Sequence, residues 1–379
     1  MLRWPLEGEF AHPEPACPEP VEGKDDGGWG VSPASQGGRV GKARLHLADH
    51  HQRQEGTLPR IQTVLGDIDP KDLGPTLVHE HTFLAWGGWQ ADPRIAFDRE
   101  AQLLRLGTEL KETRERFGVT GLVDAGPADL GRDVAFEQDM ARISGAHVIA
   151  ATGMYRSGWG FPRYWQTLSI EDLEDFFESE IAQGVGTTEV RCGVIKVASA
   201  LESMTDYEER AFRAAACVSR RLGVGIITHT DPGGWAIANV GLHQLEVMLE
   251  EGADPTRIMI GHAGGTHNLA YLLEIVRRGA AVGFDRIGSP NASVEEGYAA
   301  LVGGLIAAGF VRQVLLSHDR VGTSPRRVPL NPLAPPPAGP TKTYSTIHRE
   351  FLPRLRAGGV SETAIETMLI ENTRNLLAF

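Results

Sequence analysis

The sequence predicts a (β/α)8 TIM barrel that follows a disordered N-terminal extension. The first observation is an alternation of short β-branched runs with longer amphipathic stretches, repeated eight times over roughly 300 residues. The second is the helical pattern itself, because apolar residues recur at i, i+3 and i+4 and several stretches end at glycine. An open doubly wound sheet is the alternative fold. It is disfavoured because no phosphate-binding glycine motif follows the first strand.

The candidate strands are short and rich in Val, Ile and Leu. In chain order they read TLVHEH, VTGLVDAG, HVIAATG, CGVIKVAS, GVGIITHT, RIMIGHAG, AAVGFDRI and QVLLSHD. The helical patterns between them include REAQLLRLGTELKETRERFG, DYEERAFRAAACVSRRLG and HNLAYLLEIVRRG. Eight such units are the number that closes a barrel.

Residues 1–60 have a different composition from the rest of the chain. The stretch HPEPACPEPVEGKDDGGWGVSPASQGGRVGK is rich in Pro, Gly and charge and has no sustained apolar periodicity. Such a segment buries too little apolar surface to offset the entropy of ordering it. We therefore expect residues 1–60 to be a disordered, low-complexity extension and residues 61–379 to form the barrel.

Bulk properties narrow the range of partners. The net charge of −12 argues against a general nucleic-acid binder, which needs clustered Lys and Arg. No apolar run reaches the length of a membrane span, and the first residues lack the apolar core of a secretory signal. The three cysteines are too few and too scattered for a disulfide framework or a CxxC zinc site. We expect a cytoplasmic protein that acts on a small molecule.

Polar residues lie at the carboxyl ends of several candidate strands, which is where the active sites of such barrels are found. One histidine at a strand end is most often a hydrogen-bonded core residue. Imidazole and carboxylate groups that converge from five strands instead indicate a site for first-row metal ions. The candidate metal ligands are His79, His81, Lys196, His229, His262 and Asp319.

Lys196 stands in the otherwise apolar run RCGVIKVAS. Metal ions beside a protonated lysine would repel it, so the neutral amine is favoured. A neutral amine reacts with CO₂ to give a carbamate, whose two oxygens suit a bridge between metals about 3.5–4 Å apart. A Schiff-base lysine is the competing interpretation.

From about Val64 to Phe379 the chain resembles the phosphotriesterase family of the amidohydrolase superfamily, and its motifs are most similar to those of phosphotriesterase-like lactonases. The motifs are GDIDPKDLGPTLVHEH, ATGMY, VIKVAS, IITHT, GHAGGTHN, GFDRIG and LLSHD, in this order. The resemblance implies two divalent metal ions, usually zinc, with cobalt, manganese or iron tolerated. It places His79, His81 and Asp319 on the more buried metal and His229 and His262 on the exposed one. Carboxylated Lys196 and a hydroxide would bridge the two ions.

The same resemblance implies a reaction in which the bridging hydroxide attacks a lactone or ester carbonyl, with side activity on organophosphate triesters. Asp319 is the candidate general base. Tyr155 and Arg286 stand where lactonase-like members carry an active-site tyrosine and arginine. Two alternatives stay open: a hydrolase of amides or other small esters, and a metal-binding barrel with little catalysis.

One motif departs from the family pattern. Lactonase-like members tend to read G-H-x-G-D-[ST]-D after strand six, whereas Gly265 and His267 replace both acidic residues here. This puts the family's proton relay in doubt, and His267 becomes a candidate to contact the substrate or to shuttle a proton. Trp86, Trp159 and Trp235 lie in loops after strands and are candidates for an apolar substrate pocket. By resemblance we expect a homodimer.

Overall fold

A computed structural model describes residues 58–157, 163–199, 204–230, 239–327 and 342–379. The predicted extension lies outside the described residues as far as residue 57. In the described part of the chain, no helix is both long enough and apolar enough to cross a bilayer.

Strands and helices alternate through most of the described chain. The strands are Ile61–Thr63 (β1), Gly66–Ile68 (β2), Thr76–Phe83 (β3), Ile95–Ala96 (β4), Gly121–Asp124 (β5), His147–Met154 (β6), Val194–Ala198 (β7), Gly225–His229 (β8), Ile258–Ile260 (β9), Ala281–Phe284 (β10), Val314–Leu316 (β11), Val321–Thr323 (β12) and Arg326–Arg327 (β13). The helices are Arg99–Phe117 (α1), Val134–Ser144 (α2), Arg163–Gln166 (α3), Ile170–Ala182 (α4), Asp206–Leu222 (α5), Val240–Glu250 (α6), Leu269–Arg277 (α7), Ala292–Ala307 (α8), Leu352–Ala357 (α9), Glu362–Glu366 (α10) and Asn372–Leu377 (α11).

The predicted barrel is confirmed. A parallel sheet has the order β11-β10-β9-β8-β7-β6-β5-β3-β12, and β11 and β12 are two pieces of one eighth barrel strand, residues 314–323. The first piece pairs with β10 and the second with β3. Between them, the backbone N–H of Asp319 donates to the carbonyl of His79 at 3.0 Å. The sheet therefore closes on itself, although the sequence did not predict the break in its last strand.

Local sequence signals account for the ends of the longest helices. Asp98 caps the N-terminus of α1, and Gly118 ends the helix with φ = 72°. In α5, Thr205 and Glu208 form a capping box, and Gly223 ends the helix with φ = 79°. Both patterns satisfy backbone groups that a helix end leaves unpaired.

The interior of the barrel is apolar at its N-terminal end. Alternate residues of a strand face the same side of the sheet. Since Val194 belongs to the inner core, Lys196, two residues further along β7, also faces the inside of the barrel. Ile227 and His229 have the same relation on β8. The inner core also includes residues of β1 and α11, Ile61, Leu376 and Leu377. Apolar side chains thus fill the N-terminal half, and polar ones collect at the carboxyl ends of the strands.

Gly153 lets β6 approach β7 at the level of Lys196. Its φ is +114°, and a Cβ atom there would lie 1.9 Å from the carbonyl oxygen of Lys196. Any side chain at this position would push the two strands apart. The glycine therefore fixes the backbone that carries the lysine.

Candidate metal centre

His79, at the carboxyl end of β3, contacts groups from two other strands. Its Nε2 lies 2.7 Å from Nζ of Lys196, and its Nδ1 lies 2.7 Å from Oδ2 of Asp285, the residue after β10. All three side chains are buried. A carboxylate at Nδ1 accepts the ring N–H, so the lone pair of Nε2 can accept a hydrogen bond from Nζ of Lys196.

His262 uses the same carboxylate. Its Nδ1 lies 2.9 Å from Oδ1 of Asp285, and its backbone N–H also donates to that carboxylate. The other ring nitrogen, Nε2, lies 2.8 Å from Nδ1 of His229. Asp285 therefore orients two histidine rings at once, and these rings stack with their centroids 4.9 Å apart.

Asp319 faces three of the predicted ligands. Its Oδ1 lies 3.3 Å from Nε2 of His81 and 3.8 Å from Nε2 of His79, and its Oδ2 lies 3.8 Å from Nε2 of His262. The Asp319 side chain is 19% exposed, whereas the three histidine side chains are at most 6% exposed. Asp319 is thus the member of this group that is open to solvent.

Burial and neighbouring charges shift the pKa values of four of these side chains. Burial, reinforced by the charge of Lys196, lowers the pKa of His79 to about 4. Burial and the neighbouring His262 hold the pKa of His229 well below its usual value. Burial alone would raise the pKa of Asp285 and Asp319, but the surrounding histidines outweigh it and hold both well below the usual range.

Lys196 is fully buried, and its pKa is lowered to about 8. Burial is the largest cause and Arg286 adds to it, whereas Asp319 and Asp285 act in the opposite direction. Near neutral pH a measurable fraction of the amine is therefore neutral. The direction agrees with the sequence-based argument, but burial is the leading cause.

These residues fit a metal ion by the chemistry of their donor atoms. One donor atom each from His79, His262 and Asp319 can be chosen so that all three lie within 4.8 Å of one another. The rings of His79 and His262, whose Nδ1 atoms contact the carboxylate of Asp285, can present Nε2 lone pairs, as metal-ligating histidines do. Imidazole and carboxylate donors suit zinc and other first-row divalent ions.

Two polar side chains flank this group. The hydroxyl of Tyr155 lies 3.3 Å from each ring nitrogen of His229. Nε of Arg286 donates to Oδ2 of Asp319 at 3.1 Å. Asp129 in turn accepts the backbone N–H of Tyr155 with both carboxyl oxygens at 3.0 Å. The structure thus brings the predicted catalytic residues into contact with the predicted metal ligands.

The sequence profile described as "Phosphotriesterase family" matches residues 59–377. The chain belongs to the phosphotriesterase family. An aryldialkylphosphatase of Saccharolobus solfataricus is 30% identical over 311 residues, which is 82% of this chain and 97% of the relative. A mutant of a PTE-like lactonase from Deinococcus radiodurans superposes with a TM-score of 0.75 at 34% identity, covering 84% of this chain and 99% of the other. An N-acetyltaurine hydrolase of Rattus norvegicus is 26% identical, covering 84% of this chain and 98% of the relative.

His267, one of the two residues that depart from the family motif, contacts helix α8. His267 is exposed, and its ring stacks on Tyr298 of α8 with the centroids 5.5 Å apart. Its Nδ1 lies against Gly297 of the same helix. In the described residues, no hydrogen bond connects His267 to the metal-ligand group. Its predicted contact with the substrate stays a prediction.

The predicted tryptophan pocket is described only in part. Trp86 follows β3 and is 47% exposed, while Trp159 and Trp235 lie outside the described residues. Trp89, next to Trp86, packs instead against Phe83 and Phe97, with ring centroids 6.0 Å away in each case. An apolar substrate pocket therefore stays a prediction.

The sequence reasoning missed Asp285, which contacts both His79 and His262. A signal was present, because Asp285 is an acidic residue near the carboxyl end of a predicted strand, as Asp319 is. In the motif GFDRIG, the sequence analysis assigns a role to Arg286 alone. A carboxylate that binds the second nitrogen of a metal-ligating histidine has no characteristic sequence spacing. Its position at the carboxyl end of a strand is therefore what the sequence offers to identify it.

Proposed function

We propose that this member of the phosphotriesterase family hydrolyses lactones or esters, with side activity on organophosphate triesters. One observation carries the proposal: His79 lies close to both Lys196 and Asp319 at the carboxyl end of the barrel strands. His79, Asp319 and His262 also form a group whose donor atoms could hold a metal ion. Similarity to a PTE-like lactonase and to an aryldialkylphosphatase supports the two substrate classes.

Six side chains would hold two divalent ions, for which we propose zinc: His79, His81, Lys196, His229, His262 and Asp319. When bound, such ions polarise the substrate carbonyl and lower the pKa of water near them. The neutral amine of Lys196 would add to CO₂, forming one N–C bond and releasing one proton. The carbamate that results carries a negative charge and two oxygen donors at a position where an ammonium group would oppose a metal ion.

The remaining residues orient groups and move protons. Asp319 is ionised and partly exposed, so it can accept a proton from the attacking water and pass it to solvent. Arg286 holds Oδ2 of Asp319 and thereby fixes the orientation of this carboxylate. The hydroxyl of Tyr155, held next to His229, is placed to donate to a substrate oxygen.

Amide hydrolysis is the second candidate. The relative from Rattus norvegicus is named an N-acetyltaurine hydrolase, and the motif after β9 lacks the acidic residues of lactonase-like members. An amide requires protonation of a poorer leaving group than a lactone does. The proton relay is therefore the part of the site on which the choice between these two substrate classes depends.

A kinetic comparison tests the proposal. The zinc-loaded protein is assayed with an aliphatic lactone, an aryl ester, an N-acetyl amide and a phosphate triester. We expect the highest kcat/KM with the lactone or the aryl ester. A higher value with the amide would favour the second candidate, and inactivity on the whole panel would leave a metal-binding barrel without catalysis.

A variant of the lysine tests the carbamate. Lys196→Ala is expected to lower kcat at least about 100-fold, and added acetate or propionate is expected to restore part of the rate because a free carboxylate can replace the carbamate oxygens. Lys111→Ala, on the exposed surface of α1, serves as the control and should keep full activity. Full activity of Lys196→Ala would contradict the assignment.

A further inference from the structure

Glu80 stands between His79 and His81 in the sequence, and its side chain is fully buried. Its carboxylate is directed to the eighth barrel strand and accepts four hydrogen bonds from it. Ser317 donates through its hydroxyl at 2.7 Å, and His318 donates through its backbone N–H at 2.9 Å and through Nδ1 at 2.8 Å. The backbone N–H of Arg320 donates to the other carboxyl oxygen at 3.1 Å.

Two of these donors flank Asp319. The N–H groups of His318 and Arg320 point to one carboxylate, while Asp319 between them has φ = 51°. Backbone N–H groups that converge around a residue of this conformation form a nest, which binds anions. Here the anion is the side chain of Glu80.

The conformation of Asp319 needs such support. Residues other than glycine seldom adopt a positive φ, although aspartate tolerates it better than most. Asp319 lies in the break between β11 and β12, where two backbone hydrogen bonds still link the segment to β3. The N–H of Asp319 donates to the carbonyl of His79 at 3.0 Å, and the N–H of His81 donates to the carbonyl of Arg320 at 2.9 Å.

A second ligand shows a related arrangement, in which the carboxylate binds the N–H of the ligand itself. His262 also has a positive φ, 57°, and its backbone N–H donates to the buried carboxylate of Asp285 at 2.9 Å and 3.0 Å. Two predicted metal ligands in the left-handed conformation thus each lie beside a buried carboxylate, which accepts two flanking N–H groups at Asp319 and one N–H group at His262.

We infer that Glu80 is a positioning residue: its carboxylate binds the nest around Asp319 and holds the Asp319 side chain toward the histidines that share its metal ion. The inference rests on the proposed metal centre and adds a residue that binds neither metal nor substrate. Glu80 acts through Asp319, so its loss matters only while Asp319 is present.

Zinc affinity tests this inference, measured by competition with a chromophoric chelator. Glu80→Gln keeps the size of the side chain but removes its charge and turns one acceptor into a donor. We expect it to lower zinc affinity about 10- to 100-fold, the usual effect of losing a group that orients a metal ligand. In an Asp319→Ala background the same change is expected to lower affinity less than about 3-fold.

Glu180→Gln is the matched control. Glu180 is a buried carboxylate that accepts from Arg132 at 2.6 Å and 2.8 Å and from Thr152 at 2.6 Å, away from the metal-ligand group. If Glu80 served only general stability, both glutamine variants would lower zinc affinity alike, and this result would overturn the inference. An equal loss for Glu80→Gln with and without Asp319 would overturn it too.

The outcomes separate the inference from the proposed function. A wild-type protein that binds no zinc would refute the metal centre, and the role of Glu80 with it. Normal zinc binding by both wild type and Glu80→Gln would refute the role of Glu80 alone. If Glu80→Gln does not fold, His318→Ala removes the Nδ1 donor to Glu80 and is expected to lower zinc affinity measurably. Unchanged affinity in that variant would overturn the inference.

Discussion

Asp129 makes the stability of the protein depend on pH in a predictable direction. It lies in the turn after β5 and is mostly buried, and burial raises its pKa from 3.8 to about 7, although the N–H of Tyr155 and the charge of Arg132 act in the opposite direction. The folded protein therefore binds this proton more tightly than the unfolded chain does. Its ionisation destabilises the fold progressively as the pH rises from about 4 to about 7, and the full penalty is present above that.

The magnitude follows from the two pKa values. A shift of about three units corresponds to about 4 kcal/mol. Because Asp129 keeps some contact with solvent, we expect about half of that, about 2 kcal/mol. Asp129→Asn cannot ionise but keeps an oxygen that can accept the Tyr155 N–H. Relative to wild type, its free energy of unfolding should be higher by about 2 kcal/mol at pH 8 and by less than half as much at pH 5.

Urea unfolding of the zinc-free proteins at both pH values measures this gain. Asp175→Asn, an exposed carboxyl on α4, is the control and should show no pH-dependent difference from wild type. An equal gain for Asp129→Asn at pH 5 and pH 8 would mean that its charge is not the cause. A loss at both would mean that the amide cannot replace the carboxylate as a partner of Tyr155.

Three further changes have defined outcomes. Asp285→Asn should lower zinc affinity about 10- to 100-fold, since both histidines that contact Asp285 lose their carboxylate partner. A wild-type affinity measured by chelator competition would contradict this. Gly153→Ala should lower the free energy of unfolding in urea by about 2 to 3 kcal/mol, because the new Cβ meets the neighbouring strand. Gly303→Ala on α8, where there is open space for a Cβ, should not lower it, and equal effects of the two changes would refute the steric argument. Glu137→Met should raise the free energy of unfolding by about 1 to 3 kcal/mol, because neither buried carboxyl oxygen of Glu137 has a hydrogen-bond partner among the described residues. A lower stability in thermal or urea unfolding would mean that this carboxyl does have a partner.

The sequence predicted the fold and the positions of the polar strand ends because both depend on local patterns. Period-two alternation places Lys196 on the same face as Val194, and eight repeats of one unit are enough to infer a barrel. The inward direction of His229 follows in the same way from Ile227.

The sequence could not predict the groups that support these residues. The sequence shows that Glu80 stands between two candidate ligands in HEH. It could not show its hydrogen-bond partners Ser317 and His318, which lie more than 200 residues away in the chain. The left-handed conformation of Asp319 breaks a strand that looked continuous in QVLLSHD. Such features arise where strands distant in sequence become neighbours, and no local periodicity records them.

The break in the eighth barrel strand also bears on when the site can form. Ser317 and His79, which meet across this break, are 238 positions apart in the chain. Contacts between such distant segments close long loops and therefore form late in folding. A nascent chain that ends before residue 314 has neither Asp319 nor the α11 residues of the inner core, so it cannot bring Asp319 to the histidines of β3. Closure of the barrel and assembly of the candidate metal-ligand group are thus one event, and a divalent ion that binds this group should favour the closed form over open intermediates.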